Sequence, residues 1–426
     1  MTDGKPIEIK DGIRIKKTHA LLIASIFVSL LIAEASMRVY YNTTNQVIGM
    51  DEEEKCNRDQ YRLLRDENNP NRFKPNHLTF HEYWNYSGVR PMADVKENLV
   101  VTTLENQQVV FYNINTNTQH MRALKDYDII KPEEITRIVI LGDSFAWGDE
   151  VPLRFSIPSI LDFTINNSET LNMGIRGTGI GNMYLRWKYD ALNYNPDVVI
   201  LAPVISDIPR INPCIYKPKF NIVDDKLEIT NIPPPTFMEV YLNYRLPIFE
   251  SYLFKHIAYN IKYLGGVERK KYEYGLERFD LILDEMKLES QKEGRYLLVL
   301  MLEQSNNNIQ TQDEIDALQK IKEMLIEKDI PFLFSNDIFE SESYDLQSED
   351  DMLSFDKGRE NHHFTPRGYA YLAQGIKNKL EEDGIIEKEP SFIFSFDINN
   401  YVLSLHNKEF YDVRSIVPYD LIDFKK

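Results

Sequence analysis

Chemistry in this chain centres on Ser144, within the stretch 137–148, RIVILGDSFAWG. Residues 138–141 form an unbroken apolar run rich in β-branched side chains, which suits a strand buried on both faces of a parallel sheet. The run stops at Gly142-Asp143-Ser144. A glycine directly after a buried strand permits a sharp turn and close backbone approach. Such a turn places the Ser144 hydroxyl at the carboxyl end of the sheet, where open α/β sheets bind ligands. A serine there acts as a nucleophile once a neighbouring base takes its proton. Taken alone, the tripeptide reads equally well as an ordinary strand-ending turn.

Three more loops carry residues suited to the same chemistry. Residues 172–179, NMGIRGTG, follow a second strand, and a glycine there can bring a backbone N–H close to a substrate oxygen. Residues 204–208, VISDI, follow a third strand. Residues 360–366, ENHHFTP, come late in the chain, with Thr365 as an N-cap and Pro366 at the first position of the last helix. His363 therefore sits on a loop just before that helix. A lone histidine in such a place is ordinarily a surface residue.

These loops need a frame, and the alternation of elements supplies one. Strands are expected at 138–141, 171–175, 198–202, 296–302 and 331–334, with helices at 180–193, 272–292 and 311–328. In the last of these helices Ile315, Leu318, Ile321 and Leu325 fall on one face. The pattern implies an α/β fold, a doubly wound parallel sheet with helices on both faces, in the flavodoxin-like strand order 2-1-3-4-5. An insertion at about 214–271 contains Pro233-Pro234-Pro235 and a helix with Phe249, Leu253, Ile257, Ile261 and Leu264 along one face. That stripe reads as a core extension in preference to a substrate lid. Residues 99–103 and 108–112 read as two short strands. After Glu389-Pro390, alternating Phe392, Phe394 and Phe396, a turn at Asn399-Asn400, and Tyr401, Leu403 and Leu405 read as a β-hairpin.

The chain has 426 residues, of which 43% are hydrophobic and 27% charged, an ordinary globular balance. A formal net charge of -17 argues against a nucleic-acid partner, which needs clustered Lys and Arg. Cys56 and Cys214 form no metal-like cluster, and they could pair in an oxidising compartment. His77 and His81 lie four apart, but Pro75, Asn76 and the lack of a third ligand make them surface histidines. No phosphate loop or metal cluster is visible, so no metal or cofactor is expected.

Residues 20–33, ALLIASIFVSLLIA, are uncharged, and extension to Met37 brings the run near the lower limit of a bilayer span. Lys5, Lys10, Arg14, Lys16 and Lys17 precede it, and an acidic run at 51–54 follows. This asymmetry implies an inside amino terminus and an exported body. A cleaved signal peptide is the rival, since Ala33-Glu34-Ala35 fits a small-x-small cleavage site. A buried core helix is the third reading. The expected organisation is a cytoplasmic tail (1–18), an anchor or signal segment (19–37), a polar linker with a small β-element (38–130), the α/β domain (131–388) and a hairpin-like extension (389–426).

Together the four loops resemble the SGNH/GDSL hydrolases over roughly 131–388. That family's first motif is Gly-Asp-Ser after the first strand, matched by Gly142-Asp143-Ser144. A glycine after the second strand is best matched by Gly177. Asp-x-x-His before the last helix is matched by Glu360 and His363, with Glu for Asp. His362 adjoins His363, and the motif spacing selects His363. The resemblance implies a triad of Ser144, His363 as base and Glu360 orienting the imidazole. It also implies an oxyanion hole built from the backbone N–H groups of Ser144 and Gly177. The third motif, usually Gly-x-Asn-Asp, departs: Val204 replaces the glycine and Ser206 the asparagine. Either Ser206 substitutes, or a loop group such as Asn182 does, or turnover is slow.

The resulting expectation is an exported, membrane-tethered serine ester hydrolase forming an acyl-enzyme at Ser144 and acting on a small acyl ester, for instance by deacetylating a cell-envelope glycan. The alternatives are an O-acyltransferase on an envelope polysaccharide using the same triad, and a degenerate glycan-binding member without catalysis.

Overall fold

The computed structural model describes residues 7–8, 14–15, 17–44, 81–96, 98–103, 109–149, 151–211, 217–235, 253, 272–303, 311–341, 363–364, 366–388, 393–396 and 422–425. The chain divides into two units, residues 1–61 with 238–269, and residues 62–237 with 270–426. The first unit holds a helix over Lys17–Thr44. Its segment His19–Val39 has a mean hydropathy of 2.2 and is long and apolar enough to cross a membrane. The helix runs past the expected boundary at Met37, carrying Glu34 and Arg38 as an i,i+4 ion pair of 2.8 Å.

The second unit is built on five parallel strands: β1 (Thr136–Gly142), β2 (Ser168–Asn172), β3 (Val198–Ala202), β4 (Tyr296–Met301) and β5 (Phe332–Phe334). They lie in the order β5-β4-β3-β1-β2, which is the flavodoxin-like order. β1 pairs with β3 from Ile138↔Val198 to Gly142↔Ala202, and with β2 from Thr136↔Ser168 to Ile140↔Asn172. β2 thus sits earlier than the apolar run at 171–175 suggests. It is an edge strand, and its first two residues, Ser168 and Glu169, are polar and only half buried. Such an edge needs no apolar side chains to pair.

Among the described residues, seven α-helices accompany the sheet: α1 (Ser144–Trp147), α2 (Ile157–Thr164), α3 (Ile180–Tyr189), α4 (Glu273–Lys292), α5 (Gln312–Glu327), α6 (Ser335–Ser341) and α7 (Pro366–Glu382). The period-2 geometry of strands sorts the core into two layers. Val139, Leu141, Val199, Leu201, Val299 and Met301 pack with residues of α3, α4 and α5. Ile138, Ile140, Val198, Ile200, Leu298 and Leu300 pack with residues of α2, α6 and α7. Burying each such side chain stabilises the fold by about 1.5–3 kcal/mol before entropy is charged against it. α5 starts on a capping box, with Thr311 Oγ1 accepting from Glu314 N and Glu314 Oε2 from Thr311 N.

Outside the sheet, strands Asn98–Thr103 and Val109–Ile114 pair antiparallel, close to their expected bounds. A hairpin not foreseen from the sequence joins Lys219–Val223 to Lys226–Thr230 inside the insertion. Asp224 and Asp225 form its turn with φ of 50° and 56°, a left-handed pair that short acidic side chains tolerate. Of the expected helical stripe, only Leu253 lies among the described residues. The first strand of the expected carboxyl-terminal hairpin is present at Ile393–Phe396. Ile393–Phe396 pairs with Ile422–Lys425, setting Phe394 opposite Phe424. Residues 401–405, its expected partner, lie outside the described residues. A strand so distant in sequence is a partner no local turn signal identifies.

Candidate active site

Ser144 lies at the end of β1, on the first residue of the single turn α1. Asp143, only 2% exposed, caps that turn, its Oδ1 accepting from Phe145 N at 2.9 Å. The other end of the turn is held by Arg122, a fully buried side chain from the segment before the sheet. Its Nη1 donates to the Trp147 carbonyl at 2.9 Å and also to that of Gly148, while Nη2 donates to the Val151 carbonyl at 2.7 Å. A short helix leaves carbonyls without intrahelical partners, and the guanidinium fork satisfies those of Trp147 and of the cap Gly148 while also reaching Val151 in the segment beyond. Asn172, from the end of β2, donates from Nδ2 to the same Trp147 carbonyl at 3.2 Å. Gly174 is packed so closely that a Cβ there would lie 2.5 Å from Trp147 N. The loop after β2 therefore braces the turn that carries Ser144 through its backbone.

His363 precedes α7, which begins at Pro366 as expected. The structure brings His363 Nε2 to 2.7 Å from Ser144 Oγ, across 219 residues of sequence. The imidazole is 9% exposed, and its ring centroid lies 4.6 Å from that of Phe145. This distance falls inside the range in which a base can take a hydroxyl proton. Glu360, His362 and Thr365 lie outside the described residues, as do Cys56, Cys214 and His77.

Gly177 sits on the loop after β2 with φ of +67°, exposed, and a Cβ there would meet nothing within 4 Å. A side chain would be strained in that left-handed backbone, and its absence leaves the loop open beside the strand ends. Ser206 lies half buried in the 3-10 turn Ile205–Asp207, after β3. Asn182 is not a loop group: it lies in α3 and donates from Nδ2 to the Ser87 carbonyl at 3.3 Å. Its amide therefore serves the segment 81–96.

A second cluster ties three loops together. Arg210 Nη1 donates to Asp207 Oδ1, to Asp143 Oδ2 at 3.3 Å and to the Thr178 carbonyl at 3.0 Å. Asp207 Oδ2 accepts from Val204 N at 2.9 Å. Burial pushes the Asp207 carboxyl well above the usual carboxylate range, and the nearby Asp143 charge adds to this, while Arg210 and the Val204 N–H oppose it. Third comes a buried pair, Asp149 and Arg176, joined at 2.6 Å, with Asp149 Oδ2 4.0 Å from His363 Nε2.

His81 is corrected from surface to interior: it is 6% exposed. Burial, with the Arg176 charge, lowers its pKa to about 3. The segment around it docks on the core through Ser87 and through Tyr86, which stacks on Tyr189 with centroids 4.1 Å apart. Asp149, Arg176, Arg210, Arg122 and Gly174 were not singled out by the sequence. Asp207 and Arg210, three apart, carry a local signal; the others carry none, because their partners are remote in sequence. Among the described residues, no group of three or more His, Cys, Asp or Glu is arranged to hold a metal ion.

No protein-family model matches this chain. No curated protein matches it either. Among solved structures it is similar to one from Desulfitobacterium hafniense ascribed to the lipolytic G-D-S-L family, at 16% identity, covering 57% of this chain and 99% of that one, with a TM-score of 0.36. It is similar to a member of the lipolytic G-D-S-L family from Veillonella parvula, at 16% identity over 58% of this chain and 96% of that one, with a TM-score of 0.34. It is also similar to an acetylxylan esterase from Geobacillus stearothermophilus, at 14% identity over 57% of this chain and 94% of that one, with a TM-score of 0.34.

Proposed function

We propose that this chain is a serine ester hydrolase of the SGNH/GDSL type, tethered to a membrane by its amino-terminal helix with the α/β unit on the extracytoplasmic side. The observation that carries the reading is the 2.7 Å approach of His363 Nε2 to Ser144 Oγ at the carboxyl end of the sheet. In this reading Ser144 Oγ attacks the ester carbonyl carbon while its proton passes to His363 Nε2. The electron pair of the carbonyl moves to oxygen, where the N–H groups of Ser144 and Gly177 and the Ser206 hydroxyl donate to it. The C–O bond to the alcohol then breaks, and the alcohol leaves with the proton from Nε2. Water attacks the acyl-enzyme by the same steps in reverse roles, releasing the carboxylic acid. Glu360 orients the imidazole. The substrate class is a small acyl ester, with an acetylated envelope glycan as the favoured case.

Labelling of the detergent-solubilised full-length chain with a fluorophosphonate tests the reading. Covalent labelling that disappears in Ser144→Ala, a variant that leaves little cavity and keeps the fold, supports it. Equal labelling of parent and variant, or hydrolysis of a simple acetyl ester undiminished by the substitution, refutes it.

A further inference from the structure

The geometry points to a second site element in this centre: the Asp149 carboxylate, held by Arg176, binds the water that attacks the acyl-enzyme. The inference rests on the ester-hydrolase reading of Ser144 and His363. Asp149 follows directly after the nucleophile turn, and its backbone N–H donates to the Ser144 carbonyl at 2.9 Å. Its side chain is buried, as is that of Arg176, at 4% and 8% exposed. Arg176 Nε donates to Asp149 Oδ2 at 2.6 Å. That charge-assisted bond comes from the loop after β2, so two separate loops fix where the carboxylate points.

The carboxylate has acceptor capacity to spare. Each carboxylate oxygen offers two lone pairs, and Oδ1 has no hydrogen-bond partner among the described residues, nor does Arg176 Nη1. Leaving such atoms buried without partners is costly, which is usual where a site receives a polar ligand. The position is decisive. Asp149 Oδ2 lies 4.0 Å from His363 Nε2, the same nitrogen that faces Ser144. Two atoms so spaced can both lie about 2.8 Å from one oxygen. One hydrogen of that oxygen then points at Nε2 and the other at Asp149.

The two half-reactions differ in their need for this contact. In acylation the nucleophile is Ser144 Oγ, already covalently positioned 2.7 Å from the base. In deacylation the nucleophile is a free molecule that must be held in place. Its oxygen attacks the acyl carbon and its proton goes to Nε2. The carbonyl pair moves to oxygen and returns as the bond to Oγ breaks, and Oγ regains the proton. Asp149 takes no proton; it fixes the nucleophile's second hydrogen.

Asp149→Asn tests this in the full-length chain with p-nitrophenyl acetate. Arg176 Nε draws the amide oxygen of the variant into the place of Oδ2, so the acceptor that faces the nucleophile loses its charge and holds the water more weakly. Acetylation of Ser144 and its loss are followed separately by quenched-flow intact mass. The expected result is acylation within about threefold of the parent, deacylation slowed about 10-fold or more, and accumulated acetyl-enzyme that hydroxylamine discharges. Equal slowing of both steps, or no change in either, overturns the proposal. If Asp149→Asn does not fold, the double variant with Arg176→Gln, which faces two amides in place of the ion pair, carries the same measurement. Failure of both to fold makes the pair a structural cross-link and overturns the proposal. A parent never acetylated at Ser144 refutes the hydrolase reading itself, a result distinct from a parent that turns over normally while the variant matches it.

Discussion

Phe364, the residue after His363, packs edge-on against Phe145, the residue after Ser144, with ring centroids 5.3 Å apart and planes at 71°. Phe364 also meets Phe339 of α6 and Tyr369 of α7, each at 5.7 Å. The two loops that bring Ser144 and His363 together are therefore joined one residue further on by core aromatics. Truncating Phe364→Ala should cost about 3–5 kcal/mol, read by urea denaturation. It should also reduce fluorophosphonate labelling in the protein that stays folded. Phe364→Leu should cost less and keep labelling. A fully stable Phe364→Ala variant with parental labelling would show that the pair does not set the geometry.

The members of the proposed triad should differ in weight. His363→Ala removes the base and should lower kcat on a simple ester by about 10³-fold or more. Glu360→Gln should lower it less, because an amide still positions the imidazole imperfectly. Steady-state kinetics on both purified variants checks the order, and a reversed order would reassign the acid.

Ser206 should report on the oxyanion. If its hydroxyl donates there, Ser206→Ala lowers kcat about 10-fold or more with little change in KM, since the bond tightens only in the transition state. Ser206→Asn should hold or raise kcat. Parental behaviour in both variants removes Ser206 from the hole.

Buried His81 should make stability depend on pH with a definite sign. Its pKa falls from 6.5 to about 3 on folding, so below about pH 6.5 the unfolded chain takes up a proton that the folded chain refuses. Stability contributed by neutral His81 is complete above that pH and is lost as pH drops toward 3, by at most ~1.4 kcal/mol per pH unit. His81→Gln should flatten the fall of Tm between pH 6 and 4 relative to the parent. Parallel curves would contradict the assignment.

Topology is checked independently of chemistry. With the Lys/Arg excess ahead of the apolar segment, a reporter active only outside the cytoplasm should be active when fused after residue 426. Activity there of a cytoplasm-only reporter would invert the topology.

Much of this molecule was legible in one dimension. Strands buried on both faces must be apolar at consecutive positions, so the runs at 138–141, 198–202 and 296–302 announced themselves. Their alternation with helices implied the parallel sheet and its order. Loops that follow such strands gather at one edge, and the resemblance to the SGNH/GDSL motifs picked Ser144, Gly177 and Ser206 out of them and His363 out of the loop before the last helix. Local pattern reports which face of an element is buried, but it does not report what lies across from that face. The 2.7 Å contact of Ser144 with His363, the Arg122 clamp on the nucleophile turn, the pairing of Asp149 with Arg176, the burial of His81 and the partnership of Ile393–Phe396 with Ile422–Lys425 all join residues remote in sequence. Polar side chains such as Arg122, Arg176 and Asp149 carry no periodic signal. Only the closed tertiary structure, by removing them from water, obliges them to find one another.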